Sequence, residues 1–483
     1  MNPISARLYR IAMMAAASLV AQAAESTAFA QVIVPSPVGD IVQSPLDDPL
    51  LKDAERRLER RRERALENEV DAAADPVEAP LQDVAPDRVL ETVDQAVDET
   101  VTALPGAAHS VANAAVQPLR PFVEGVDPFG RAIEEDVLIV LVEPGELANI
   151  EQSGLPVRQQ RALPSLDLVL ARIEGPQAPS LAQAAVDIRR RFPGAAVDYN
   201  FLYRPADNER QARPDAGAAP AVTHKGYLPR SPGVRLGLID SAVSKEHSSL
   251  ADVRIFARDF VPYEGKRPLG HGTAVASIMA ANLPDDAEIL AASVFFQKRG
   301  YAPGASTESL LEALDWLAGS QVDVINMSLA GPADELLERA LVELADDGPT
   351  VVAAVGNNGP TGEPLYPAAY ESVLGITAID RERRIFAYAN RGDHVAFAAP
   401  GVNVKVADGS GSWRMESGTS MASPYVAAVI ADALHASELP KDAVIESLQA
   451  NAVDLGDEGF DPVFGYGLVQ PPRGQNAAAS LTE

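Results

Sequence analysis

The sequence contains no cysteine among its 483 residues. Disulfide bonds, thiolate metal sites and a cysteine nucleophile are therefore excluded, although the redox compartment stays undecided. Aromatic residues are also scarce, at 5%, but 47% of residues are hydrophobic, which is enough for a large core. Lysine and arginine number 40 against 68 aspartates and glutamates, which gives a net charge of −28. Because phosphate binding needs concentrated positive charge, this balance argues against nucleic acid as a partner.

The N-terminus has the composition of an export signal. Two arginines precede an apolar run over 11–24, and residues 28–30 (Ala-Phe-Ala) are typical of a cleavage site. A membrane anchor is the alternative, but the polar residues 25–27 leave a run too short to span comfortably. We therefore expect 1–30 to be a bacterial signal peptide, the chain to be exported to the periplasm or the medium, and no transmembrane segment to remain afterwards.

Composition divides the rest of the chain into a low-complexity extension, two folded regions and short connections. The extension is acidic, rich in alanine and broken by proline, apart from a charged helix-forming stretch at 51–70, so it is predicted to be largely disordered. From Glu134, strand-like runs alternate with amphipathic stretches in the order strand, helix, strand, helix, strand, which predicts a small α+β (ferredoxin-like) unit. The predicted boundaries are 31–131 for the extension, 132–206 for the small unit, 207–222 for a linker, 223–475 for the main domain and 476–483 for a tail.

The main domain alternates apolar strand-like runs with helical stretches. Because the strands are apolar throughout, they predict a mostly parallel sheet with helices on both faces. Catalytic groups in such α/β sheets gather at the carboxyl ends of the strands. The predicted strands are 234–239, 289–296, 322–327, 350–355 and 373–378, and the predicted helices are 274–281, 307–318, 333–344 and 425–434.

Four polar residues follow predicted strands or begin predicted helices of this sheet. Asp240 and Asn357 follow strands, His271 lies between two glycines at a helix entry, and Ser420 precedes a buried helix. Gly418 would permit a backbone path that most residues cannot take, and the unpaired N–H groups of the helix start favour developing negative charge. Each residue alone has a structural explanation as a cap or turn residue. Their joint placement at one sheet edge indicates a catalytic site.

The segments around these residues resemble the subtilisin family of serine proteases (subtilases). The resemblance implies an exported serine endopeptidase, made as a zymogen, that hydrolyses protein or peptide substrates through an acyl-enzyme. It implies that Ser420 is the nucleophile, that His271 is the general base and that Asp240 orients it. It also implies that the Asn357 side chain and the Ser420 backbone N–H bind the oxyanion. The matching segments, in family order, are 236–241, 270–277, 323–329, 352–357, 399–401, 418–424 and 465–467.

The same resemblance extends to substrate binding and to the small unit. It implies that the unit 132–206 is an inhibitory prodomain whose last segment, near 199–204, occupies the cleft until cleavage; the alternative is a permanent accessory domain. No acidic residue lies in the expected S1 walls, so a small or apolar P1 side chain is expected. The residues expected to bind substrate are Ser328, Leu329, Ala330 and Gly331 on one wall of S1 and Gly356 on the other.

No cofactor or metal is expected, although calcium stays open as an alternative. Many subtilases bind calcium in the loop that corresponds to 278–289, but the loop is short here. Asp285 and Asp286 alone are a poor cage for an ion that needs about six or more oxygens. A function of a different class, a catalytically silent subtilase-fold protein that binds peptides or serves as a scaffold, stays open, although the presence of every triad residue argues against it.

Overall fold

Residues 119–176, 180–206, 233–298, 302–437 and 439–471 are described by a computed structural model of the chain. The predicted signal peptide, the charged helix at 51–70, the linker and the tail lie outside these residues. Within the described ranges, no helix is both long and apolar enough to cross a membrane.

The N-terminal unit is an antiparallel sheet with two helices. Apart from β1, which pairs with β2, its element order is β-α-β-β-α-β and its strand order is β3-β4-β2-β5, as in ferredoxin-like folds. The elements are β1 (Glu124–Val126), β2 (Ala132–Val142), α1 (Leu147–Gln152), β3 (Val157–Leu163), β4 (Leu168–Glu174), α2 (Leu181–Arg191) and β5 (Ala196–Pro205).

Two predictions for this unit were wrong in detail. Strand β3 was not predicted, because as an edge strand it alternates between exposed and partly buried polar residues and lacks an apolar run. Folded structure also begins before Glu134, since Phe122 is 1% exposed and β1 pairs with β2. A single buried residue, Phe122, among exposed apolar and polar neighbours produces no periodicity that a sequence pattern could reveal.

The main domain is built on a seven-stranded sheet in the order β15-β14-β13-β11-β6-β8-β7, in which every neighbouring pair is parallel. Its strands are β6 (Arg235–Asp240), β7 (Arg254–Asp259), β8 (Glu288–Ser293), β11 (Val324–Met327), β13 (Thr350–Ala354), β14 (Val373–Ile379) and β15 (Val395–Pro400), with short strands β9 (Phe295–Phe296), β10 (Gly304–Ser306), β12 (Leu329–Ala330), β16 (Val404–Ala407) and β17 (Trp413–Glu416) outside it. Its helices are α3 (Gly270–Asn282), α4 (Thr307–Gly319), α5 (Glu335–Ala345), α6 (Thr419–His435) and α7 (Lys441–Asn451).

Helices cover both faces of this sheet, which confirms the predicted fold class. Leu236 and Leu238 of β6 belong to a core shared with α3 and α6, whereas Ile239 belongs to the core shared with α4 and α5. The second core is continuous with that of the N-terminal unit. Strands β7 and β15 at the sheet edges and the late helix α7 were not predicted; β7 has a largely exposed pattern and α7 buries only Val444 and Leu448.

Strand β5 belongs to both folded units. Its first part pairs with β2 of the N-terminal unit. Leu202 and Tyr203 then pair with β10 of the main domain, and Arg204 and Pro205 pair with β12. All of these pairings are antiparallel. The end of the N-terminal unit therefore adds a strand to the main domain.

Acidic side chains on one face of α4 contact the N-terminal unit. Glu308 lies 3.2 Å from Arg172, and Glu312 lies 3.2 Å from Arg161. Asp315 accepts a hydrogen bond of 2.7 Å from a backbone N–H between β3 and β4. Burial raises the pKa of Glu312 to about 7 and that of Asp315 to about 6. Association of the two units therefore removes these carboxyl groups from water.

Helix α3 approaches the loop after β6 with no room for a side chain at Gly272. A Cβ there would lie 2.9 Å from the Ser241 carbonyl carbon and would overlap its oxygen. A Cβ at Gly270 would come within 3.1 Å of the guanidinium group of Arg414 and contact no other residue that closely. Overpacking typically costs about 1–3 kcal/mol, although alanine is the better helix former by about 1 kcal/mol.

We therefore expect Gly272→Ala to lower the thermal unfolding temperature and Gly270→Ala to leave it unchanged or raise it. Thermal unfolding of the two variants, followed by circular dichroism, measures this difference. Equal unfolding temperatures would show that the loop after β6 can shift to accommodate a methyl group at no cost in stability.

Candidate active site

Asp240 and His271 meet at the carboxyl end of β6. Asp240 is the last residue of β6 and is fully buried, and its two carboxylate oxygens lie 2.7 and 2.9 Å from His271 Nδ1. The Ser241 N–H also donates to Asp240 Oδ1, at 2.6 Å. A proton on Nδ1 satisfies the carboxylate, so this arrangement favours the tautomer in which Nε2 is the basic nitrogen.

Helix α3 is tied to the loop after β6 by two hydrogen bonds. The Gly272 N–H donates to Ser241 Oγ at 2.7 Å, and the Ser244 N–H donates to Thr273 Oγ1 at 2.9 Å. His271 is the second residue of α3. The loop that follows the carboxylate and the helix that carries the imidazole are thus held together by the residues next to the Asp–His pair.

Ser420 is the second residue of α6, and its carbonyl has an unusual partner. Pro424 lacks the N–H that would normally donate to the carbonyl four residues earlier, and Ser328 Oγ donates to that carbonyl instead, at 3.1 Å. Asn326 Nδ2 donates to Ser328 Oγ at 2.9 Å, and Asn326 Oδ1 accepts from Ser423 Oγ at 2.6 Å. All of these side chains are buried. The end of β11 therefore fixes the start of α6.

The reason predicted for Gly418 was wrong. Its φ of 166° and ψ of 164° describe extended backbone that other residues also adopt. A Cβ at this position would, however, lie 3.0 Å from Asn357 Nδ2 and 3.2 Å from Ser420 Oγ. Glycine is needed here because the space between the amide and the hydroxyl must stay open.

The Asn357 side chain is oriented by Thr419. Its Oδ1 accepts hydrogen bonds from the Thr419 N–H and from Thr419 Oγ1, both at 3.1 Å. Thr419 Oγ1 in turn accepts from the Gly356 N–H at 3.1 Å. With Oδ1 held in this way, Nδ2 faces the cleft. Thr419 was not predicted as a site residue, and its position between Gly418 and Ser420 is the only signal of its role.

The carbonyl oxygen of Ala206 lies at this cluster. Asn357 Nδ2 donates a hydrogen bond to it, and Ser420 Oγ lies 3.3 Å from it. The Ala206 N–H donates to Ser328 O at 3.2 Å, which continues the pairing of β5 with β12. The cleft segment was predicted near 199–204, so the structure extends it to Ala206. The predicted site residues Asn357 and Ser420 thus meet at the Ala206 carbonyl, and Ser328 accepts a hydrogen bond from the N–H of the same residue.

The remaining expected substrate-binding residues also contact or line this segment. Leu329 is paired with Pro205 and Ala330 with Arg204. The ring of Tyr203 lies against Gly331 so closely that a Cβ there would overlap it.

Tyr203, which belongs to the bound segment, is fully buried against the wall of the cleft that contains Gly331. Its hydroxyl donates to Pro332 O at 3.2 Å and lies 3.4 Å from Asp334 Oδ2. Burial, with the nearby charge of Asp198, raises the pKa of Asp334 to about 7. On the other side of the cleft, the side chain of Leu365 packs against Gly356, which has a φ of +95°. Tyr203 therefore anchors the bound segment against one wall of the cleft, and Leu365 fills the space beside Gly356 on the other.

No group of three or more metal-ligating side chains is arranged to hold an ion in the part of the chain that the structure describes. Helix α3 ends at Asn282 and β8 begins at Glu288. Of the two aspartates between them, Asp286 donates its N–H to Asp252 O, at 2.9 Å. This short connection does not fit a calcium loop, since calcium takes about six to eight oxygens.

A comparison with protein families matches residues 231–467 to the Subtilase family. Subtilisin DY from Bacillus licheniformis is 33% identical over 265 residues, which cover 52% of this chain and 93% of the relative. The minor extracellular protease Epr from Bacillus subtilis (strain 168) is 33% identical over 250 residues, or 49% of this chain, but the alignment spans only 38% of that longer protein.

Among solved structures, fervidolysin from Fervidobacterium pennivorans, described as a keratinolytic enzyme related to subtilisin, superposes with a TM-score of 0.55. The match is 18% identical and covers 73% of this chain and 62% of that one. At this identity the likeness concerns the fold alone, and it extends over more of the chain than the peptidase region.

Proposed function

Since the chain belongs to the subtilase family of serine proteases, we propose that it is a serine endopeptidase that first cuts its own chain after Ala206. The observation that carries this proposal is the Ala206 carbonyl, which is shared by Asn357 Nδ2 and Ser420 Oγ. A carbonyl bonded to an amide donor and facing a serine hydroxyl is in the position of a scissile peptide group.

The chemistry follows from these positions. Ser420 Oγ attacks the Ala206 carbonyl carbon while His271 Nε2 takes the hydroxyl proton, and the carbonyl oxygen becomes an oxyanion that Asn357 stabilises. Asp240 keeps the Nδ1 proton in place and stabilises the imidazolium. The bond from Ala206 to the nitrogen of Asp207 then breaks, and His271 gives its proton to that nitrogen. Water then attacks the acyl-enzyme carbonyl while His271 Nε2 takes its proton. The ester bond to Ser420 Oγ breaks, His271 returns the proton to Ser420 Oγ, and the new carboxylate at Ala206 is free of the serine.

The N-terminal unit would act as an inhibitor after this cleavage. Pairing of β5 with β10 and β12 does not depend on the bond that is cut, so the new C-terminus at Ala206 stays in the cleft as a bound product. The packing of Leu365 against Gly356 and the alanine at the cleavage site support a preference for small P1 residues in other substrates. The relatives named extracellular support export, with residues 1–30 as the signal peptide.

The experiment that tests the catalytic assignment is fluorophosphonate labelling of the purified full-length chain. We expect the wild-type chain to split into two fragments and its peptidase fragment to be labelled once the N-terminal fragment has left the cleft, whereas Ser420→Ala stays intact and unlabelled with an unchanged circular dichroism spectrum. Ser410→Ala, at an exposed turn, is the matched control and should behave as wild type. Normal self-cleavage of purified Ser420→Ala, or an intact and unlabelled wild-type chain, would favour a silent binding protein instead.

A second test concerns the oxyanion. Removing such a side-chain donor lowers kcat by about 10²–10³ in subtilisins, so we expect Asn357→Ala to lower kcat by a similar factor with a much smaller change in KM. Steady-state kinetics on a peptide ending in Tyr-Arg-Pro-Ala before the reporter group measures this. The control is Asn358→Ala, because Asn358 is the next residue and is exposed. Equal kcat values for the two variants would remove Asn357 from the mechanism.

A further inference from the structure

The first segment of the N-terminal unit contacts the peptidase domain away from the cleft. Residues 119–126, here called the strap, end in β1, which pairs with β2. Earlier in the strap, the Arg120 N–H donates to Pro262 O, and the Glu264 N–H donates to Arg120 O, both at 3.0 Å. The strap therefore bridges the two folded units through backbone hydrogen bonds on both sides.

Phe122 anchors the strap in an aromatic pocket. It is 1% exposed, and its ring centroid lies 4.9 Å from that of Tyr263 and 5.0 Å from that of Phe296, both in the peptidase domain. Leu202 of β5 completes this cluster. Lys298 of the peptidase domain donates to the Phe122 carbonyl. The neighbouring Val123, by contrast, is 52% exposed, so Phe122 is the residue of the pair that makes the contact.

Arg120 supplies charge to a buried carboxylate. Glu308 in the first turn of α4 is fully buried and is paired with Arg120 from the strap and, at 3.2 Å, with Arg172 from β4. Arg172 also binds Glu134 through two hydrogen bonds of 2.7 Å. Two buried carboxylates thus face two guanidinium groups, and the more exposed Glu174 also binds Arg172, at 2.7 Å. Because removing one partner of a buried ion pair leaves an uncompensated charge, loss of Arg120 should weaken this contact strongly.

We propose that Tyr263, Phe296 and Glu308 form an exosite that binds Arg120 and Phe122 of the strap. This contact adds to those made by β5 and α4 and helps to retain the N-terminal unit on the peptidase domain after cleavage. The retention step rests on the proposed function, since cleavage after Ala206 cuts the chain at the end of β5 only. The strap lies on the same fragment as β5, so the fragment leaves only when the cleft, α4 and the exosite have all released it.

The test compares Phe122→Ala and Arg120→Gln with the control Val123→Ala in the full-length chain. N-terminal sequencing measures cleavage. Retention is measured by the lag before activity on a peptide substrate and by co-elution of the fragments in gel filtration. We expect cleavage after Ala206 in every chain. Loss of a buried phenylalanine contact should shorten the lag about tenfold or more in Phe122→Ala, and Arg120→Gln should shorten it in the same direction, with wild-type behaviour in Val123→Ala. Unchanged lag and co-elution in both strap variants would overturn the proposal, and Arg120→Gln decides alone if Phe122→Ala does not fold.

A readout that needs no cleavage separates this proposal from the proposed function. In the Ser420→Ala chain, the Glu264 amide is covered by Arg120 O, and its hydrogen exchange reports whether the strap is docked. We expect Phe122→Ala and Arg120→Gln to speed this exchange and Val123→Ala to leave it unchanged. Equal exchange in all chains would show that the exosite does not hold the strap, whatever the outcome for catalysis.

Discussion

The antiparallel pairing of β5 is the interaction on which the rest of the structure depends. One strand closes the sheet of the N-terminal unit through β2 and then runs between β10 and β12 of the peptidase domain. Because strand pairing fixes register in steps of a residue, the pairing of Arg204 with Ala330 and of Pro205 with Leu329 places the next carbonyl, that of Ala206, at Asn357 and Ser420. The strand that completes the first unit therefore also occupies the proposed active site.

The site that receives this carbonyl is held rigid by groups that do not touch it. Pro424 has no N–H to donate to the Ser420 carbonyl. The buried Ser328 hydroxyl, which Asn326 holds in place, donates to it instead. Thr419 holds the oxygen of the Asn357 amide so that its nitrogen faces the cleft. Buried polar groups of this kind are costly unless fully bonded, and here each bond also orients a residue of the proposed mechanism.

The sequence predicted the doubly covered parallel sheet because its strands are uniformly apolar, and it predicted that Asp240, His271, Asn357 and Ser420 belong together because they follow strands or begin helices at one sheet edge. It could not predict β3, whose edge positions are mostly polar, or β7, whose short apolar run at 255–257 is flanked by arginines and largely exposed.

Features that depend on contacts between distant parts of the chain could not be predicted from the sequence either. The docking of Phe122 depends on Tyr263 and Phe296, which lie far away in the chain. The space kept by Gly418 depends on the position of Asn357 rather than on any local backbone preference. Propensity and periodicity describe neighbours in sequence, so neither feature leaves a local pattern.

The most direct test of the account is the chemical identity of the first self-cleavage product. The purified wild-type chain is allowed to process, and the intact masses of both fragments and the N-terminal sequence of the larger one are determined. The account predicts one initial cut, an N-terminal fragment that ends at Ala206 and a peptidase fragment that begins with Asp207. A first cut at any other bond, with the Ala206–Asp207 bond intact, would contradict it, because the carbonyl held by Asn357 and Ser420 would then not be the one that reacts.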